Sequence, residues 1–116
     1  MKKVNILGTT YKVDLNVPYS KDKSLAGCFG YTDFHGKRIV VSDICTVPGW
    51  EDASEECAKD VYEGTVRHEV IHAYLMESGL NSSANGVDCW ARNEEMVDWF
   101  AIQFPKLMKT FRELGV

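Results

Sequence analysis

Val66-Arg67-His68-Glu69-Val70-Ile71-His72-Ala73-Tyr74-Leu75 is the stretch on which the reading of this chain turns. Val66, Val70, Ile71 and Leu75 recur at helical spacing, so one side of the segment is apolar enough to be buried. His68 and His72 stand four apart, which on a helix places them one turn apart on the same face, and Glu69 lies beside them. Two histidines and a carboxylate on a buried helix need partners, and a metal ion supplies them.

Upstream, Pro48 and Gly49 mark a break, and Asp52-Ala53-Ser54-Glu55 offers a capping box from which the helix starts. Gly79 is a natural stop, and Gly64 marks either a close packing contact or a break between two helices. Further toward the N-terminus, Val4 to Leu15 reads as a hairpin broken at Gly8-Thr9, after which Asn16, Pro18 and Ser20 interrupt pairing. Cys28-Phe29-Gly30-Tyr31-Thr32 and Arg38-Ile39-Val40-Val41 form a second pair of strand-like runs, joined through His35-Gly36-Lys37. Downstream, Asn81 to Gly86 is turn-rich. Val97, Phe100, Ala101 and Phe104 then predict a helix from about Ala91 until Pro105. Pro105 is suited to open a last helix carrying Leu107, Met108, Phe111 and Leu114.

The expected class is α+β: a small twisted sheet, mostly antiparallel or mixed, packed on the histidine-bearing helix and followed by one or two further helices. A length of 116 residues with 45% hydrophobic residues suits one domain, residues 1–116, around one core. A net charge of −4 without a Lys/Arg block argues against a nucleic-acid partner. The short apolar runs, and the strand-like Met1 to Ile6 start, argue against a membrane span or a secretory leader. Cys28, Cys45, Cys57 and Cys89 are widely spaced without a C-x-x-C pair, which fits reduced thiols in a cytoplasm, although an even count permits two disulfides.

A catalytic zinc keeps three protein ligands and one open position, so a third ligand must come from outside the motif. The positions where a metzincin carries glycine and a third histidine hold Leu75 and Ser78. A glutamate from the following helix is the remaining common solution, and Glu94 and Glu95 are its candidates. Glu94 is favoured over Glu95 because it shares a face with Ala91 and with Asp98, one turn on. A metal-bound histidine usually donates its other N–H to a carboxylate, and Asp98 can accept it. Glu69 suits the general base of amide hydrolysis, taking a proton from a water that zinc has acidified and passing it to the leaving amine. A chance motif on a solvated face, with Glu94 and Glu95 as plain surface charges, is the competing account.

His68-Glu69-Val70-Ile71-His72, followed by Asn93-Glu94-Glu95-Met96-Val97-Asp98-Trp99-Phe100-Ala101, resembles the gluzincin clan of zinc metallopeptidases. The combination of short chain, strands before the helix and little after it is similar to the minigluzincins and to the SprT-like and ImmA/IrrE-type peptidases of bacteria and phages. The motif resemblance spans about Val66 to Phe104, and the N-terminal strands match only in kind. It implies one zinc ion per chain on His68, His72 and Glu94, with Glu69 catalytic. It also implies an edge strand that binds an extended peptide, here the Arg38 to Ser42 run with Ile39, Val40 and Val41, or the arm before it.

Larger gluzincins supply an oxyanion-stabilising histidine or tyrosine from a C-terminal subdomain that finds no room here. Tyr74, Tyr62, Tyr31 and His35 are the substitutes on offer, and spacing does not choose among them; Tyr74 also counts as a substrate-binding candidate. Otherwise His35 reads as a solvated loop residue, and Trp50, Trp90 and Trp99 as bulk covering the core or sheet. The resemblance allows a terminal segment, such as the tail after Pro105, to occupy the cleft in self-inhibition, an apolar helix docked on the core being the simpler account. The partner expected is a peptide or protein substrate. The competing functions are a zinc-binding regulatory or protein-binding module without useful turnover, and a metal-free domain.

Overall fold

The structure is a computed structural model and describes residues 1–81 and 89–116. Beyond Asn81, the turn-rich reading of Asn81 to Gly86 lies outside the described residues.

The first hairpin joins β1 (Lys2–Ile6) to β2 (Thr9–Val17), antiparallel, with Ile6 opposite Thr9. Its two-residue turn is Leu7-Gly8, with φ of +50° and +91°, so the break falls one residue before Gly8-Thr9. Positive φ at both turn residues matches the right-handed twist of the strands, and Asn5 Oδ1 accepts the Gly8 N–H at 2.9 Å. Asn16, expected to interrupt pairing, is instead absorbed within β2. It takes φ +55° where the register shifts between Asp14 and Val17.

Two short 3-10 turns lead to β3 (Gly30–Asp33), and a hairpin returns to β4 (Arg38–Ser42). The sheet order is β1-β2-β4-β3, with β4 parallel to β2 and antiparallel to β3. The expected α+β class with a mixed sheet is what the fold shows. Of the two runs expected at the peptide-binding edge, Arg38 to Ser42 is central, hydrogen-bonded on both sides, and Ile39, Val40 and Val41 are fully buried. The arm before it, β3, is the edge. Ile39 and Val41 are too apolar to sit anywhere but in the core, with Ile6, Tyr11, Val13 and Ala73.

Helix α1 (Glu55–Glu77) runs unbroken through Gly64. Its cap is Ser54, whose side chain accepts the Cys57 N–H, rather than Asp52. Gly79, at φ +90°, ends it. Tyr62, Val66 and Val70 lay its apolar side on the core, and its last turn is anchored to the sheet through Glu77. That carboxylate accepts from Tyr11 OH (2.8 Å), Thr9 Oγ1 (3.0 Å) and Lys37 Nζ.

Helix α2 (Glu94–Leu114) is capped by Asn93, whose Oδ1 accepts the Met96 N–H at 2.9 Å. It continues through Pro105, where two helices were expected. A helix interior tolerates proline badly because the missing N–H strands the carbonyl four residues earlier, here that of buried Ala101. That carbonyl is taken by Arg67 Nε of α1 at 2.7 Å.

Candidate metal centre

His68 and His72 project from one face of α1 toward the first turn of α2. His72 Nε2 lies 3.0 Å from His68 Nε2 and 3.0 Å from Glu94 Oε1, and His68 Nε2 lies 3.1 Å from Glu94 Oε2. The other ring nitrogens are engaged: His72 Nδ1 with the Ala91 carbonyl at 2.6 Å, His68 Nδ1 with Asp98 Oδ1 at 2.7 Å. A carbonyl only accepts, so His72 Nδ1 carries the hydrogen, and the same argument holds for His68 against an ionised Asp98.

With both Nδ1 atoms protonated, the neutral rings turn bare Nε2 lone pairs toward each other and toward a carboxylate. Such a triad of electron pairs at 3 Å is repulsive unless a cation or an extra proton sits among them. Tetrahedral ligands about 2.05 Å from a zinc ion stand about 3.3 Å apart, close to the separations seen. His68, His72 and Glu94 therefore form a group that can hold a metal ion. Glu95, the alternative to Glu94, is exposed and takes no part in that group.

Glu69 is buried beside this group, its Oε1 3.9 Å from His68 Nε2. Its Oε2 accepts from Thr32 Oγ1 at 2.8 Å, and the same hydroxyl lies 2.9 Å from the Glu69 carbonyl. Burial raises the Glu69 pKa, while the Thr32 hydrogen bond and then the two histidines oppose that rise. The approach of β3 to the helix depends on Gly30. A Cβ there would stand 2.8 Å from the Val40 carbonyl oxygen and 2.9 Å from Thr65 Cγ2.

These groups open onto a cleft of about 740 Å³ between edge strand β3 and the two helices, lined among others by Phe29, Tyr31, Thr32, Val61 and Ile102. Among the oxyanion candidates Tyr31 alone lines it, its hydroxyl donating to Asp22 Oδ2 at 2.7 Å. Tyr74 is exposed off the cleft, Tyr62 packs on the core, and His35 is exposed in the β3–β4 loop against Phe34. Ile39, Val40 and Val41 do not reach the cleft. Trp50 packs edge-on against Phe29, whereas Trp90 and Trp99, expected as covering bulk, are more than half exposed. All four cysteines are unpaired. Arg92 Nε donates to Cys89 Sγ and lowers that thiol's pKa, while burial raises that of Cys28 on the cleft wall.

Four contributors are not marked by any local pattern in the sequence: Thr32, Gly30, the Ala91 carbonyl and Arg67. Within one continuous helix, Pro105 strands the Ala101 carbonyl, but nothing local in the sequence names Arg67 as its donor. Among the described residues, no helix is long and apolar enough to cross a membrane. Compared with protein-family models, with curated proteins and with solved structures, the chain matches none.

Proposed function

We propose that the protein is a zinc-dependent metallopeptidase, with one zinc on His68, His72 and Glu94 and Glu69 as general base. The observation that carries this reading is the convergence of two histidine Nε2 atoms and the Glu94 carboxylate at 3.0–3.1 Å, the histidines having already committed their other nitrogens. When bound, zinc supplies a Lewis acid that polarises a peptide carbonyl and acidifies water toward neutral pH. Asp98 and the Ala91 carbonyl hold the imidazoles in one tautomer and one orientation. Thr32 holds the Glu69 carboxylate toward the cleft, where it takes a proton from the attacking water and returns it to the leaving amine. The outer edge of β3, which pairs with no further strand among the described residues, suits an extended peptide that adds as a further strand, with Phe29 and Ile102 as apolar walls. Likeness of the motif pair to the gluzincin clan, and of the short chain to minigluzincins, agrees with this assignment.

One observation favours the same centre without useful turnover. The Tyr31 hydroxyl, on the one oxyanion candidate that lines the cleft, is committed to Asp22 and Arg38. The discriminating experiment measures metal content and cleavage of an unfolded casein probe together. Wild type is expected to carry one zinc per chain, His72→Ala and Glu94→Ala to lose it, and Glu69→Gln to keep zinc while cleavage stops. Zinc without cleavage in the wild type selects the regulatory or protein-binding module; no zinc rejects both.

A further inference from the structure

Helix α1 meets α2 and the short 3-10 turn before it (Trp90–Arg92) along one line of polar contacts: His72 to the Ala91 carbonyl of the turn, then both histidines to Glu94, His68 to Asp98 and Arg67 to the Ala101 carbonyl of α2. All but the last involve an imidazole of the metal group, the Glu94 contacts through Nε2 and the other two through Nδ1. The Arg67 contact alone is independent of what occupies the centre. It also answers a defect that α2 creates for itself, because Pro105 leaves the buried Ala101 oxygen without its helical donor and its ring crowds that oxygen outward.

We infer that Arg67 is a positioning residue of the metal centre: by replacing the N–H that Pro105 lacks, it fixes where α2 presents Glu94 and Asp98 to the two histidines. This rests on the zinc reading proposed above. The latch sets α2 in place before metal arrives, so the ligands need little reorganisation on binding.

The test is a double-mutant cycle on the full chain, read as the zinc Kd in competition with a chromophoric chelator and as the melting temperature of metal-free protein. Arg67→Met is expected to weaken zinc about tenfold, the size of effect seen when supporting groups around a metal are lost. Pro105→Ala restores a backbone N–H to the Ala101 oxygen, so the double variant is expected to return to within about twofold of wild type. Pro105→Ala alone should leave zinc affinity unchanged. Arg67→Lys, which keeps a cation at the same carbonyl, serves if the methionine variant does not fold, and is expected to bind zinc more weakly than wild type. Unchanged zinc affinity with a lowered metal-free melting temperature overturns the positioning role and leaves Arg67 merely structural. Weakened zinc that Pro105→Ala fails to recover overturns the link to proline. A wild type that binds no zinc removes the metal reading and the inference together, whereas failure of the latch alone leaves wild-type zinc binding intact.

Discussion

Thr32 Oγ1 has one hydrogen and two acceptors within 2.9 Å, the carboxylate and the carbonyl of Glu69. Without the hydroxyl, a buried carboxylate keeps its position only through weaker, longer contacts, and a lost hydrogen bond to a charged group is worth about 1.5–3 kcal/mol. Thr32→Val is therefore expected to reduce cleavage of the casein probe by about tenfold or more at unchanged zinc content, with Thr32→Ser near wild type. Next to it, Gly30→Ala puts a methyl against the Val40 carbonyl, a backbone atom that cannot step aside. It is expected to destabilise the fold by about 1–3 kcal/mol in urea unfolding. At this scale the sequence revealed the residues whose spacing is itself the signal. His68 and His72 sit one helical turn apart with Glu69 beside them, and Glu94 and Asp98 are likewise one turn apart. Thr32 and the Ala91 carbonyl were hidden because they meet the histidine helix only through strand order and helix docking, which no local pattern encodes.

Each helix keeps its course through a residue that normally ends one. Gly64 stays within α1 because the flanking turns are anchored by Tyr62, Val66 and Val70, and tertiary packing outweighs about 1 kcal/mol of propensity. Pro105 stays within α2 because Arg67 covers the stranded carbonyl. In the sequence Pro105 reads as a boundary and Gly64 as either a close packing contact or a break, since what holds each helix on course is its packing against other elements. The start of α1 depends on Ser54, and Ser54→Ala is expected to lower stability by about 1 kcal/mol, measured as a shift of the thermal midpoint. Its far end depends on Glu77, whose pKa is lowered by hydrogen bonds first from Lys37 and then from Tyr11. A carboxylate with a depressed folded pKa stabilises above its unfolded value of 4.5 and loses that contribution as pH falls through the folded one. Thermal melts from pH 7 downward should show wild type losing stability below about pH 4.5. Glu77→Gln, less stable at pH 7, should show a flatter response across that window.

For the whole molecule, α+β class, strand pairs and helix count were nearly legible from alternation, turn residues and helical periodicity. The position of β4 was not. A run of three apolar residues reads equally as an edge carrying a peptide or as a strand buried on both faces, and only the parallel pairing with β2 decides. Glu94 reaches the histidines only where α2 docks, so the zinc binding proposed above is expected to be linked to folding. Zinc at about one hundred times its Kd is expected to raise unfolding free energy by about 2.7 kcal/mol over chelator-treated protein. His72→Ala should abolish that increment.

The sheet is assembled from two hairpins of nearest neighbours in sequence, β1–β2 and β3–β4, that meet only where β2 runs parallel to β4. Each hairpin closes in microseconds, whereas the parallel seam must gather strands separated by the whole intervening loop and its closure entropy. The seam is thus the natural bottleneck of refolding. Stopped-flow experiments should find Val13→Ala and Ile39→Ala, which face each other across it, slowing refolding more than they speed unfolding, while trimming the Leu7-Gly8 turn does the reverse.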